Sequence, residues 1–198
     1  HLDGDPAKPF VPHDYKVLCR LDRSMHGGGL LLGGRKHLLV DVLDLRKYNV
    51  IGVVEMVGIV WEGIHWILYY TPNSIAALEL VDTMQRYKED NPQVHCVFIG
   101  DANVHNADWV HSNFTDLAGE LAQEFCEMFG MQQLINFPTR GENTLDLVVS
   151  DIDGTARELP GFGNSDHVAM ALSFKMDGQM PPTPIKHRVQ NWYNAPWN

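Results

Sequence analysis

Gly100-Asp101-Ala102-Asn103 ends the apolar run Val94 to Ile99 with a carboxylate and a carboxamide two residues apart. In extended chain such residues point to the same side, so both can enter one cleft just past a core strand. Together they can bind a hard metal ion or orient a water; the same spacing also suits an Asx turn capping a strand end. A second group is Asn164-Ser165-Asp166-His167-Val168. Its adjacent Asp and His can supply a metal ligand and a charged hydrogen-bond donor, or simply form polar surface. The third is Asp146, set among apolar residues in TLDLVVS. If buried, that carboxylate needs a partner, and a histidine is the economical one.

These groups need elements to hold them, and the apolar pattern alternates between the strand and helix periods. Tyr15 to Leu21 reads as a strand, and Gly27-Gly28-Gly29 before Leu30-Leu31-Leu32 reads as a hairpin turn. A phosphate cradle would continue into Gly-Lys-Ser/Thr and a helix, which this does not. Val50 to Val60 and Ile64 to Tyr70 form a second hairpin around Trp61-Glu62-Gly63, closed by Pro72 and Asn73. Ser74 is the expected N-cap of a helix to about Asp90, with Leu78, Val81 and Met84 inward and Asn91-Pro92 as its stop. A second helix is expected from about Asp116 to Phe129, with Leu117, Leu121, Phe125 and Met128 inward and Gly130 just past its end. Leu145 to Val149 and Val168 to Phe174 read as the last two strands. Hairpins interspersed with helices imply an α/β sandwich with largely antiparallel or mixed sheets.

Composition limits the function classes. A chain of 198 residues, 44% of them hydrophobic, is long enough to bury roughly 70% of its unfolded surface in one domain. Cys19, Cys96 and Cys126 are odd in number and lack metal-site spacing, which favours a reducing, intracellular setting. No signal peptide is apparent, and the apolar runs fall far short of the ~20 residues that span a bilayer. The formal charge of −10 argues against non-specific adhesion to a polyanion, so contact with nucleic acid needs cations or a local basic patch. Arg20, Arg23, Arg35, Lys36 and Arg140 are too scattered to define such a groove. His105 and His111 flank Trp109 and suit either DNA contact or an ordinary surface loop. Trp61 and Trp66 are expected to cover core, on alternate faces of their hairpin, and an exposed one would suit base stacking.

Taken in order, Tyr70-x-Pro-Asn, GDxN at Asp101, PTR at Thr139, LDLV at Asp146 and SDH at Asp166-His167 resemble the endonuclease/exonuclease/phosphatase superfamily. More narrowly, the chain is similar to the apurinic-type endonuclease domain of non-LTR (LINE-type) retrotransposon reverse transcriptase polyproteins. RLDRSMHGGG resembles that family's R-x-DR…GGG hairpin, and GDANVHNADW its GDFNAHH…W. DLAGELAQEF…MQQLINFPTR…TLDLV resembles its G-x-x-L…L-x-N-x-PTR…LDLV segment. RVQNWYNAPW is similar to the stretch leading toward a reverse transcriptase. The likeness runs from about Tyr15 to Trp197. Two departures stand out. The superfamily's first strand, bearing an Asn, and its Gln-Glu strand, whose Glu binds metal, are absent; that Glu would fall just before His1. Ala102 replaces a Phe, a change of packing rather than chemistry. Glu55 is the nearest early-strand carboxylate, but its hairpin position makes it a poor substitute.

The resemblance implies a four-layer α/β/β/α sandwich of the deoxyribonuclease type lacking its first strands. It implies an N-terminally incomplete domain over residues 1–175, then a linker and tail over 176–198 leading toward an absent reverse transcriptase domain. The implied activity is Mg²⁺-dependent DNA nicking, with Mn²⁺ as the alternative ion, leaving a 3′ hydroxyl for target-primed reverse transcription in the nucleus. Asp101 would orient or deprotonate the attacking water, and Asn103 would hold that water or the phosphate. His167 would donate to the scissile phosphate, Asp146 would fix the His167 ring, and Tyr70 would contact the phosphate. The metal would lie on Asp166, Asp101 and Asn103, with Thr139, Ser165 and His105 as substrate contacts. Two alternatives stay open: a same-fold phosphatase, and a catalytically silent module binding nucleic acid or protein. The missing Glu favours silence; retention of Asp101, Asn103, Asp146, Asp166 and His167 opposes it.

Overall fold

The computed structural model describes residues 11–23, 28–161 and 163–176. The expected linker and tail therefore lie outside the described residues from 177 onward, as do the first ten residues and part of the glycine turn. Strands β1 (Tyr15–Asp22) and β2 (Gly29–Arg35) pair antiparallel as the expected hairpin. The central sheet comprises β3 (Asp41–Val42), β4 (Glu55–Trp61), β5 (Ile64–Tyr70), β6 (Cys96–Asp101), β7 (Gln132–Gln133) and β8 (Asp146–Ser150). Its order is β3-β4-β5-β6-β8-β7. Only β5 and β6 run parallel, joined by the crossover helix α1 (Ser74–Asp90); every other pair is antiparallel, so the sheet is mixed. Helix α2 (Leu117–Phe129) packs against α1, and β9 (Gly154–Leu159) and β10 (Ala169–Phe174) form a separate antiparallel hairpin.

Period-two alternation gives the sheet two buried faces. Ile67 and Tyr69 of β5, Phe98 of β6, and Leu147 and Val149 of β8 meet Leu80, Val81 and Met84 of α1 and Ala122 and Phe125 of α2. Their neighbours Ile64, Val97 and Val148 turn the other way and are covered by Met170, Leu172 and Phe174 of β10. Trp66 belongs to this second core, its ring edge-on to Phe174 at 5.0 Å, and Trp61 lies against it at 6.0 Å. The two tryptophans thus associate rather than occupying alternate faces. Both α-helices lie on one face, so the described residues form three layers: helices, central sheet and the two small hairpin sheets β1–β2 and β9–β10. The outer helical layer expected on the opposite side is not among them.

Several local expectations shift for physical reasons. Asn73, not Ser74, caps α1, because its Oδ1 accepts the Ala76 N–H at 3.0 Å. Residues 50–54 turn instead of extending: the Val53 and Val54 N–H groups both donate to the Val50 carbonyl, and Gly52 takes φ 74°. The expected strand therefore begins only at Glu55. In α2 the inward stripe rotates to Ala118, Ala122, Phe125 and Cys126, leaving Leu117 and Met128 exposed. Small residues win there because the helix abuts backbone: a Cβ on Gly119 would lie 2.0 Å from the His105 carbonyl. Asp116, the expected first residue, is instead the N-cap just before the helix, accepting from Gly119 N at 2.8 Å. The three cysteines are free, and burial pushes the Cys96 and Cys126 thiols up to about 12.

Candidate active site

Directly opposed residues on neighbouring strands share a face. The β4–β5–β6–β8 register places Glu55 opposite Tyr70, Tyr70 opposite Asp101, and Asp101 opposite Asp146. Side chains from four strands, 91 positions apart at the extremes (55 to 146), thus share one row at the carboxyl ends of β5 and β6. The row faces away from the helices, since the next one, Tyr69-Gly100-Leu147, faces the helical core.

That second row explains the glycine before Asp101. The Tyr69 ring crosses Gly100 and its Oη donates to the Leu147 carbonyl at 3.2 Å. A Cβ on Gly100 would fall 1.9 Å from the Tyr69 carbonyl oxygen and 2.9 Å from the ring, at φ 159°. Backbone cannot yield as a flexible side chain can, so Gly100→Ala is expected to destabilise the chain by about 3 kcal/mol. Chemical denaturation should show the midpoint falling, and an unchanged midpoint would refute this packing.

The turn after Asp101 is stitched from both sides. Thr71 N donates to the Asp101 carbonyl, Thr71 Oγ1 to the Ala102 carbonyl at 3.0 Å, and Ala102 N to the Leu145 carbonyl at 2.8 Å. Asn103 adopts a left-handed backbone (φ 49°), which returns its carboxamide to the row. Its Nδ2 donates to Asp101 Oδ1 and to the Thr71 carbonyl, both at 2.8 Å. The carboxamide oxygen is then the group left to accept a donor or meet a cation. Burial, followed by the nearby Asp146 carboxylate, pushes the Asp101 carboxyl up to about 6, against the lowering effects of His167 and Asn103.

His167 and Asp146 are joined directly, Nδ1 to Oδ2 at 2.6 Å, with both side chains largely buried. The 138–140 segment holds the pair in place. Fully buried Thr139 accepts the Leu145 and Asp146 N–H groups on its hydroxyl, each at 2.9 Å, while its carbonyl accepts Val168 N. Thr139, expected as a substrate contact, therefore positions the two strand entries instead. Ser165 Oγ accepts the His167 N–H at 3.1 Å and shapes the turn. Asp166 is exposed; its own backbone N–H and then Arg140, at 2.7 Å, hold its carboxyl below the ordinary range. His105 stacks on exposed Phe114 at 4.2 Å between centroids, with Nδ1 2.8 Å from Ser112 Oγ.

Local spacing missed one component. Arg23, at the end of the first hairpin strand, grips Glu55 with Nε at 2.5 Å and Nη2 at 3.1 Å. Its guanidinium lies 4.0 Å from the centre of the Tyr70 ring. Glu55 is buried, and Arg23 is the cation that compensates it. Glu55 therefore reaches the expected row but is already paired. The available signal is the second Arg of RLDR, which in the sequence shows only as part of a hairpin motif and as one of several scattered basic residues.

Among the described residues, no three His, Cys, Asp or Glu side chains gather to hold a metal ion. Asp101 and the Asn103 carboxamide oxygen nevertheless form a hard-oxygen pair of the kind Mg²⁺ uses, since that ion keeps several waters and takes one or two carboxylates plus substrate phosphates. The raised Asp101 carboxyl also marks a place where added positive charge is favoured.

The family model described as endonuclease-reverse transcriptase matches residues 64–171, more than half of the chain. The chain belongs to that family. The matched span carries Tyr70, Asp101, Asn103, Asp146 and His167, and the expected superfamily kinship stands. Among solved structures, the endonuclease-reverse transcriptase chain is similar to the endonuclease domain of TRAS1, a telomere-specific non-LTR retrotransposon. Identity is 17% and the TM-score 0.60, over 84% of this chain and 82% of that one. A mannosyl-6-phosphatase from Bacteroides thetaiotaomicron matches at 10% identity and TM-score 0.56, over 83% and 78% of the two chains. The human Nocturnin catalytic domain matches at 12% and 0.56, over 88% and 78%. At these identities the likeness is one of fold. No curated protein matches the sequence.

Proposed function

We propose that this endonuclease-reverse transcriptase domain is a Mg²⁺-dependent DNA endonuclease that nicks one strand and leaves a 3′ hydroxyl for a reverse transcriptase to extend. The observation that carries the reading is the row Tyr70-Asp101-Asp146 with His167 fixed on Asp146 at 2.6 Å. Family membership and the fold shared with a retrotransposon endonuclease support the choice of DNA.

Phosphodiester hydrolysis needs a water in line with the leaving oxygen and countercharge on the phosphate as negative charge builds. Asp101, with one carboxylate oxygen held by Asn103, orients that water and accepts its proton. Asp146 occupies His167 Nδ1, which orients the ring and leaves Nε2 to present a proton to a phosphate oxygen. Tyr70 contacts the phosphate from the adjoining strand, and Ser165 and His105 line the approach. Mg²⁺, held by Asp101 and the Asn103 carboxamide oxygen, would supply countercharge and acidify bound water. Asp166, paired with Arg140 at 2.7 Å, would be the further ligand if that pair opened, and Mn²⁺ would suit the same oxygen donors.

The domain layout, with a tail beyond residue 175 leading to a reverse transcriptase, and work in the nucleus belong to the same proposal. No described helix is long and apolar enough to cross a membrane. Incubation with supercoiled plasmid, in Mg²⁺ and in excess chelator, tests the reading: Mg²⁺-dependent open circles are expected. Intact plasmid across ion and pH conditions would overturn the enzymatic claim and favour a silent binding module.

A further inference from the structure

The catalytic reading leaves Arg23 and Glu55 without a role, although they reach the same row of the sheet. Burying a carboxylate requires compensation, and Arg23 gives it in the side-on bidentate form, Nε and Nη2 each on one Glu55 oxygen. This geometry fixes the guanidinium plane. The Arg23 N–H donates to the Gly28 carbonyl at 3.1 Å, closing the hairpin turn and anchoring the backbone that carries the side chain. Tyr70 opposes Glu55 in register and lies under that plane, its ring centre 4.0 Å from the guanidinium carbon. A planar cation at this distance over a phenol is a cation–π contact, stronger where partly desolvated. Lysine cannot reproduce it, because a point charge on a flexible stem cannot both fork onto Glu55 and lie flat on the ring.

We propose that Arg23, locked by Glu55, is a positioning residue that holds the Tyr70 ring so that its hydroxyl meets the substrate phosphate; this rests on the endonuclease reading. Glu55 is then the anchor of a cation rather than a metal ligand, which gives the first hairpin a function at the site. A phenol allowed to swing by about 1 Å loses its place on the phosphate, and misplacement of that size costs about 10²-fold. The effect falls on kcat, because ring placement matters where charge develops, while most DNA contacts remain.

The experiment is a double-mutant cycle in plasmid nicking with Arg23→Met, Tyr70→Phe and the pair, plus Arg23→Lys. Arg23→Met is expected to lower kcat about 10- to 100-fold with KM for DNA nearly unchanged. The double variant should be no slower than Tyr70→Phe, and Arg23→Lys should not restore the rate. Multiplying losses, a KM effect alone or rescue by Lys would overturn the proposal, indicating a general phosphate contact or none. Nuclear Overhauser contacts between the Arg23 side chain and the Tyr70 ring separate this from failure of the endonuclease reading. If the wild type does not nick, their presence together with a displaced Tyr70 resonance in Arg23→Met still supports ring positioning. Their absence, or a Tyr70 resonance unmoved by Arg23→Met, overturns it.

Discussion

His167→Ala is expected to reduce Mg²⁺-supported plasmid nicking by about 10²- to 10⁴-fold, the range for loss of one positioned proton-transfer group. The loss should be chemical rather than structural. The backbone at this site is held independently of the ring, by Val168 N on the Thr139 carbonyl and His167 N on Ser165 Oγ. Removing the imidazole leaves those bonds in place and vacates a site that is 24% exposed, so the thermal midpoint should move little. The Asp146 carboxylate loses its 2.6 Å partner but remains on its strand, paired in register with Asp101. The Asp146→Asn variant separates orientation from charge: its carboxamide can still meet Nδ1, but it also stabilises the wrong ring tautomer. Nicking should fall within the same range, and combining the two changes should add little, because Asp146 acts through His167. Nicking by His167→Ala within a few-fold of wild type would remove the histidine from the mechanism.

How much of this site the sequence reveals depends on how local its interactions are. Asp101 and Asn103 are visible because a strand end and a two-residue spacing suffice to place them together. Chemistry alone calls for a histidine partner to Asp146, a carboxylate in an apolar run, and the family resemblance is what names His167 as that partner. Thr139 was visible only as a motif letter, since its work is done on backbone amides at 145 and 146 that no side-chain pattern records. Arg23 and Glu55 are 32 positions apart and meet because an independent hairpin leans on β4 and β5, a contact periodicity cannot predict. The fold follows the same rule. The tight turn at Glu62-Gly63, with φ of 52° and 75°, is legible because only the short Trp61-Glu62-Gly63 stretch joins two apolar runs; the structure extends the first strand through Trp61. Strand β9, GTAREL, alternates too weakly to be recognised, and it pairs only because β10 supplies the apolar partner. The α2 stripe departs from the expected one because Leu117 and Met128 outrank alanine in apolarity, whereas close backbone approach selects the smaller side chains.

Asp101→Asn should make the metal-free chain more stable at neutral pH while abolishing its nicking. The Asp101 carboxyl titrates at about 6 when folded, because burial and then the facing Asp146 disfavour its charge. Unfolded, an aspartate titrates at about 4. The folded chain therefore holds this proton more tightly than the unfolded one. Stability is undiminished below about pH 4, falls as pH rises from about 4 to 6, and stays reduced above that by about 1–3 kcal/mol. Asparagine carries no charge to desolvate and can still accept the Asn103 amide through its oxygen. Urea titrations in chelator should show the variant more stable by that amount at pH 7.5 and equal to wild type near pH 4. Nicking should fall by at least about 10²-fold, since a carboxamide can neither accept the water's proton nor bind a hard cation as a carboxylate does. Added Mg²⁺ should raise the wild-type unfolding midpoint and leave the variant's unchanged. A variant less stable than wild type at pH 7.5, or one that nicks normally, would show that the row bears no electrostatic strain and that the attacking water is held elsewhere. The expected pairing of higher stability with lost activity has a physical basis: a carboxylate kept in a half-buried row beside another one is costly to the fold, and that cost is what makes the position attractive to a cation and competent to take a proton.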